Sequence, residues 1–276
     1  MKKIIRWSGF ILGSFIGLML LTSLVLYPIG KKKLTRSYPG IRVESVRIPT
    51  DADAIARGRH VSVIWACINC HGEDLSGKLF TRDPIGGTIP TFGAIPASNL
   101  TSGKGGIARS YTDVDWIRAI RHGVKPNNKP EIFMYVTTMS DQDLGDLIAY
   151  MKQIPPVDRD SSAIKWGPII PIASAIGIFP PVAGSIDHNA PHPTDPAPGA
   201  TIEYGRYLSA ICAECHVNGV ANAVKKWKQE DFIRTLHTGI ALDGKQVGPT
   251  MSSKTFSEMN DMELSALWLY FRNQSH

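Results

Sequence analysis

The chain spells Cys-x-x-Cys-His twice, at Cys67-Ile68-Asn69-Cys70-His71 and at Cys212-Ala213-Glu214-Cys215-His216, and these segments use all four of its cysteines. In this pentapeptide the two thiols are spaced to add across the two vinyl groups of one porphyrin, and the adjacent imidazole is held on one face of the iron. A fold that carries it is therefore built around a flat apolar cofactor. Paired Cys-x-x-Cys also serves structural zinc, but those pairs stand roughly 15–20 residues apart, whereas Cys212 follows Cys70 by 142 positions. A thioredoxin-like pair needs a βαβ setting, and neither copy is flanked by β-branched strand runs. The expected cofactors are two covalently bound haem c groups, attached through Cys67, Cys70, Cys212 and Cys215. His71 and His216 each supply one axial nitrogen to iron, and no cysteine is left for a disulfide.

Residues Trp7 to Gly30 carry no charge over 24 positions. As a helix they span about 36 Å against a hydrocarbon core of about 30 Å, which predicts one transmembrane helix. Thr22 to Gly30 offers no small-x-small cleavage site, so the segment reads as an uncleaved anchor rather than a signal peptide. Basic residues flank it on both sides, Lys2, Lys3 and Arg6 before and Lys31, Lys32, Lys33 and Arg36 after, so charge alone does not orient it. Gly9, Gly13 and Gly17 recur every four residues on one stripe where a partner transmembrane helix can approach, although membrane helices are Gly-rich in any case.

The net charge of +6 comes from that anchor. Seven of the 30 Lys and Arg lie within residues 1–36, leaving 23 against 24 acidic residues, about −1, for the rest. Nucleic acid is excluded as a partner, and the basic flanks suit lipid headgroups.

Landmarks recur in order along the remainder. Gly58-Arg59-His60-Val61-Ser62 precedes the first haem motif and Gly205-Arg206-Tyr207-Leu208-Ser209 the second; Asp115-Trp116-Ile117-Arg118 matches Asp231-Phe232-Ile233-Arg234, and each leads to a glycine, Gly123 or Gly239. Ser140-Asp141-Gln142-Asp143-Leu144 matches Asn260-Asp261-Met262-Glu263-Leu264. The repeating unit is a whole haem domain. Ser140 and Asn260 are N-caps of closing helices with apolar residues at helical spacing, and the segments 53–66 and 201–211 before the motifs read as helices too. The predicted fold class is mainly α, two tandem haem domains behind one N-terminal transmembrane helix. Its boundaries are 1–36 for the anchor, 37–160 for the first domain, 161–199 for a connector and 200–276 for the second domain. Within the connector, Trp166 to Ile186 is uncharged but holds four prolines, which argues against a second span. It is expected to lie between the domains or against the bilayer, followed by a Pro-rich hinge, His188 to Gly199.

The sixth iron ligand follows from the repeat. Met134 lies 11 residues after Gly123 and Met251 lies 12 after Gly239, which makes them the predicted thioether ligands. Met139 and Met259 also align, but they precede the N-caps, where an apolar residue acts as a hydrophobic staple; Met139 is the reserve for the first haem. His122 and His237 stand near the same loops as alternatives, do not align, and read as exposed helix-end residues.

The series Gly58-Arg59-His60, Cys-x-x-Cys-His, Asn99-Leu100-Thr101, Tyr111-Thr112-Asp113, Trp116 to Val124, Met134, Ser140 to Asp143 and Pro155-Pro156-Val157 resembles a membrane-anchored di-haem cytochrome c. It is similar to the cytochrome subunits of periplasmic alcohol, aldehyde and gluconate dehydrogenases, except that Met-Pro, frequent at the ligand in that family, is here Met134-Tyr135 and Met251-Ser252. The resemblance implies two class I cytochrome c domains on the periplasmic side of a bacterial cytoplasmic membrane, with the N-terminus cytoplasmic. It also implies a propionate contact for the Asn99 to Thr101 region, for which a surface turn is the alternative. The expected function is electron relay to redox protein partners in a respiratory, photosynthetic or dehydrogenase complex. The rival is a di-haem peroxidase, which needs one open iron and an acid/base group such as Glu131 or His122.

Overall fold

In the computed structural model the chain is mainly helical, with one two-stranded sheet among the described residues. The structure describes residues 2–79, 92–132, 134, 136–160, 163–213, 216, 220, 224–247 and 253–274. The predicted attachment residue Cys215 and the predicted ligand Met251 lie outside the described residues.

Helix α1 (Lys2–Leu34) is long and apolar enough from Trp7 onward to cross a membrane. Phe10, Leu20 and Leu24 are exposed on it. Among the described residues, nothing outside the helix's own backbone lies within 4 Å of where a side chain at Gly9, Gly13 or Gly17 would begin. The glycine used for close packing is instead Gly30, discussed below.

The first bundle contains α2 (Ala52–Ile64), α3 (Cys67–His71), α4 (Asp113–His122) and α5 (Asp141–Met151), with the short strand β1 (Gly93–Ala94) between α3 and α4. The caps are those the side chains dictate. Asp51 accepts from the Ala54 amide, Thr112 and Asp115 form a capping box, and Ser140 accepts from the Asp143 amide, as its sequence position predicts.

After α5 the strand β2 (Lys165–Trp166) pairs antiparallel with β1, Gly93 opposite Trp166. Helix α6 (Ile169–Ala175) then packs on α1, and one 3-10 turn follows at Val182–Gly184. The segment expected as a hinge is tied to the first bundle: His192 Nδ1 lies 2.9 Å from Asp141, and the Gln142 amide donates to Asp195.

The second bundle comprises α7 (Ile202–Leu208), α8 (Ala210–Ala213), α9 (Gln229–Thr238), α10 (Ser253–Ser257) and α11 (Asp261–Asn273). It repeats the first in detail. Where α2 crosses α5, a Cβ on Gly58 would lie 1.9 Å from the Asp146 carbonyl oxygen; where α7 crosses α11, a Cβ on Gly205 would lie 1.9 Å from that of Ala266. The Gly-Arg signature is thus a crossing point where two backbones touch. At the ends of α4 and α9, Arg121 donates to the Met139 carbonyl and His237 Nε2 lies 2.9 Å from the Met259 carbonyl. His237 does the work of Arg121, which explains why the two sequence histidines do not align.

The bundles meet through a reciprocal pair of contacts. His60 on α2 lies 2.8 Å from Glu263 on α11, while Tyr207, its counterpart on α7, donates to Asp143 on α5 at 2.5 Å. Each bundle thus offers the same position to the carboxylate three residues after the other's N-cap, as in a two-fold dimer interface folded into one chain. Only the first of the two contacts involves a histidine. The hydrogen bond to Glu263 raises the pKa of His60 above its usual 6.5, against its desolvation and with support from Glu263, Glu258 and Asp143. Protonated His60 therefore stabilises the junction fully below about pH 6.5, and that contribution is lost as pH rises through its elevated pKa. Thermal unfolding should show this alkaline loss in the parent and not in His60→Gln; an unchanged pH profile in the variant would refute the assignment.

Candidate haem-binding cavity

Helix α2 ends at Trp65, and Ala66 follows in the left-handed region at φ 59°, a conformation that costs an L-residue about 1–2 kcal/mol. That reversal turns the chain into α3, which Gly72 closes at φ 83°. Cys67 and Cys70, three residues apart on this helical turn, therefore share a face. His71 Nδ1 lies 2.8 Å from the Ser98 carbonyl, which can only accept, so Nδ1 carries the proton and Nε2 keeps its lone pair. Burial lowers the pKa of His71, favouring the neutral imidazole that binds metals. Burial also pushes the Cys67 thiol up to about 12, so it stays protonated and uncharged in this apolar setting.

Ser98 is fixed from the far end of the bundle. The Asn99 amide group donates to the carbonyls of Val157 and Arg159, and Thr101 exchanges hydrogen bonds with Val157. Both side chains are buried, so this turn is not at the surface. Their polar groups serve the segment after Pro155-Pro156, and through Ser98 they hold the imidazole. Asn99→Ala should cost about 1–3 kcal/mol by stranding those carbonyls, with an altered His71 environment by NMR; an unperturbed His71 signal would contradict the link.

One continuous cavity of about 1740 Å³ runs past both motifs. Cys67, Cys70, His71 and Met134 border it, and so do Cys212 and His216. Single ligand sites occupy roughly 300–1,000 Å³, so this space admits more than one large ligand. Its walls are mostly apolar, with Ile107, Ile120, Leu267 and Phe271 from both bundles. The indole N–H groups of Trp65 and Trp116 are buried at this wall without a hydrogen-bond partner among the described residues. They are donors of the kind that carboxylate-bearing porphyrin edges accept, and together with the thiols and neutral imidazole they fit haem c. Trp65, Trp116 and Ser98 have no sequence signature that marks these roles.

The loop bearing Met134 is pinned on both sides to the end of α4: the Glu131 amide donates to the Gly123 carbonyl and the Val136 amide to that of Ile120. In the second bundle the Val247 amide donates to the Gly239 carbonyl, so the loop toward Met251 begins in the same way. Met139, the reserve ligand, is fully buried ahead of α5.

His122 corrects an expectation. It is buried rather than exposed, because the connector folds over it: His122 Nδ1 faces His188 Nδ1 at 3.1 Å, and desolvation pushes its pKa down to about 4. Neither His122 nor His237 is among the described residues that border the cavity. Glu131 does border it, with its carboxylate 3.4 Å from Lys125. The same fold-back brings Phe179, Val182 and Ile186 to the cavity wall.

Residues 55–155 match the cytochrome c family model. The chain is 24% identical over 272 residues to the fructose dehydrogenase cytochrome subunit of Gluconobacter japonicus, an alignment covering 82% of this chain and 54% of that protein. It is 28% identical over 182 residues to the gluconate 2-dehydrogenase cytochrome c subunit of Pantoea cypripedii, covering 59% and 37%. It is also 28% identical over 187 residues to the cytochrome c subunit of the quinone alcohol dehydrogenase of Gluconacetobacter polyoxogenes, covering 60% and 36%. The chain thus spans about half or less of the length of these relatives.

Proposed function

We propose that this chain, which carries a cytochrome c domain at residues 55–155 and is related to cytochrome subunits of dehydrogenases, is a membrane-tethered di-haem cytochrome c. It relays electrons between redox partners at the periplasmic face of the bacterial cytoplasmic membrane. It performs no substrate chemistry of its own. The observation that carries this reading is the single cavity bordered by both Cys-x-x-Cys-His segments.

Haem c supplies a reversible one-electron iron couple. The chain's residues set its surroundings. Cys67, Cys70, Cys212 and Cys215 would hold the two groups through thioethers, and His71 and His216 would each supply an imidazole nitrogen to iron. Met134 and Met251 would supply thioether ligands, which raise the potential relative to a second histidine and keep small ligands away. The indole N–H groups of Trp65 and Trp116 would donate hydrogen bonds to acidic porphyrin substituents, and the apolar walls would exclude water. Continuity of the cavity keeps the two sites close enough for transfer within the chain. The redox partners belong to a membrane complex, by analogy with the relatives a dehydrogenase, and a helix of that complex fits the open stripe at Gly9, Gly13 and Gly17.

A potentiometric titration of the detergent-solubilised protein tests this reading. It should resolve two one-electron waves with low-spin spectra, and the reduced protein should leave carbon monoxide unbound at neutral pH. Carbon monoxide binding together with peroxide turnover would establish an open iron and the peroxidase class instead.

A further inference from the structure

The connector lies against the C-terminal end of the apolar span of α1, where α6 meets Gly30 and Lys33. Between the basic residues that bound it, about 30 Å of hydrocarbon takes up roughly 20 helical residues, so Ser23 and Leu26 fall inside wherever that length is placed between Trp7 and Gly30. On this helix Leu24 and Val25 are 71% and 60% exposed, yet Ser23, Leu26, Tyr27, Gly30 and Leu34 are drawn out of solvent along one face. Helix α6 packs there: a Cβ on Gly30 would lie 1.6 Å from the Pro171 carbonyl oxygen, so the two backbones touch.

The covering segment is prepared for an apolar solvent. Residues 167–186 contain no charge. Pro168 and Pro171 have no N–H to satisfy. The amides of Ile176, Gly177, Ile178 and Phe179 all donate back into α6, to Ile172, Ser174, Ala173 and Ala173. Carbonyls at its C-terminal end, those of Ser174 and Ala175, accept from the Lys33 ammonium at 3.4 and 2.8 Å. The pairing of these four amides suits a segment in lipid, where no water can satisfy them. Its outward side chains include Ile169 and Ile176, 37% and 56% exposed. At seven residues α6 is too short to span.

We propose that α6 and the turn after it, residues 167–179, dip into the leaflet at the C-terminal end of α1 as a second membrane contact. This rests on the transmembrane reading of α1. Because the chain continues directly from this turn into the cavity wall at Val182 and Ile186, the contact seats the first haem site against the membrane and fixes its orientation.

With all four native cysteines consumed by haem, a new cysteine is the only reactive thiol. Full-length, haem-loaded Ile176→Cys, Leu18→Cys and Ser257→Cys proteins would each carry a nitroxide in phosphatidylcholine–phosphatidylglycerol vesicles. Power-saturation EPR then compares collision with oxygen, which concentrates in lipid, and with a water-soluble nickel complex. The oxygen-to-nickel ratio should be severalfold higher at positions 176 and 18 than at 257. A ratio at 176 equal to that at 257, with 18 still lipid-buried, overturns the second contact and leaves the anchor intact. A water-exposed label at 18 overturns both.

Discussion

Gly205→Ala is expected to destabilise the second bundle by about 3 kcal/mol or more, and Gly58→Ala to do the same to the first. Small-to-large changes in packed cores usually cost about 1–3 kcal/mol because neighbouring side chains move aside. Here the obstacle is backbone, the carbonyls of Ala266 and Asp146 at 1.9 Å, so relief requires separating α7 from α11 or α2 from α5. Against a total stability of about 5–15 kcal/mol for a typical domain, that loss should appear as a large fall in melting temperature and in the yield of haem-loaded protein. Gly199→Ala is the matched control. Its Cβ would meet nothing closer than the Thr201 methyl at 3.5 Å, an ordinary contact. Equal stability of Gly205→Ala and Gly199→Ala would show that the crossing is looser than described.

Met134→Ala should convert the first haem from an inert to a ligand-accepting one. The loop is pinned to α4 on either side of this residue by the amides of Glu131 and Val136, so the side chain is offered to the cavity at a fixed place. Its removal should abolish that haem's methionine-to-iron charge-transfer band, allow carbon monoxide to bind, and lower its potential by a part of the ~0.8 V range that axial ligands command. Met139→Ala should retain the band while losing about 2–5 kcal/mol of stability, because it empties a fully buried site. The reverse pattern would move the ligand to Met139.

Local chemistry was readable from the chain wherever it depends on near neighbours. Ser140 and Asn260 announce their helices because a capping oxygen and an acid three residues on act within one turn. The repeated Gly-Arg was legible as a landmark, but its reason, a backbone contact with a helix some 60 to 90 residues later, exists only in three dimensions. The same holds for His122. As the last residue of an amphipathic helix it resembles a solvent-facing side chain, and only the fold-back of the connector buries it against His188. Met134 could be selected by register within the repeat. Trp65 and Trp116 could not, since an indole that greets a cofactor and one that fills a core look alike in sequence. The connector was legible as apolar and as unfit to span, yet its seat on Gly30 depends on one missing side chain in α1.

The most direct measurement is the intact mass of the full-length mature protein together with its pyridine haemochrome and a thiol titration. Two haem c groups per polypeptide and no reactive thiol are predicted. A product carrying one haem or none, with free thiols at Cys67, Cys70, Cys212 or Cys215, would contradict the account.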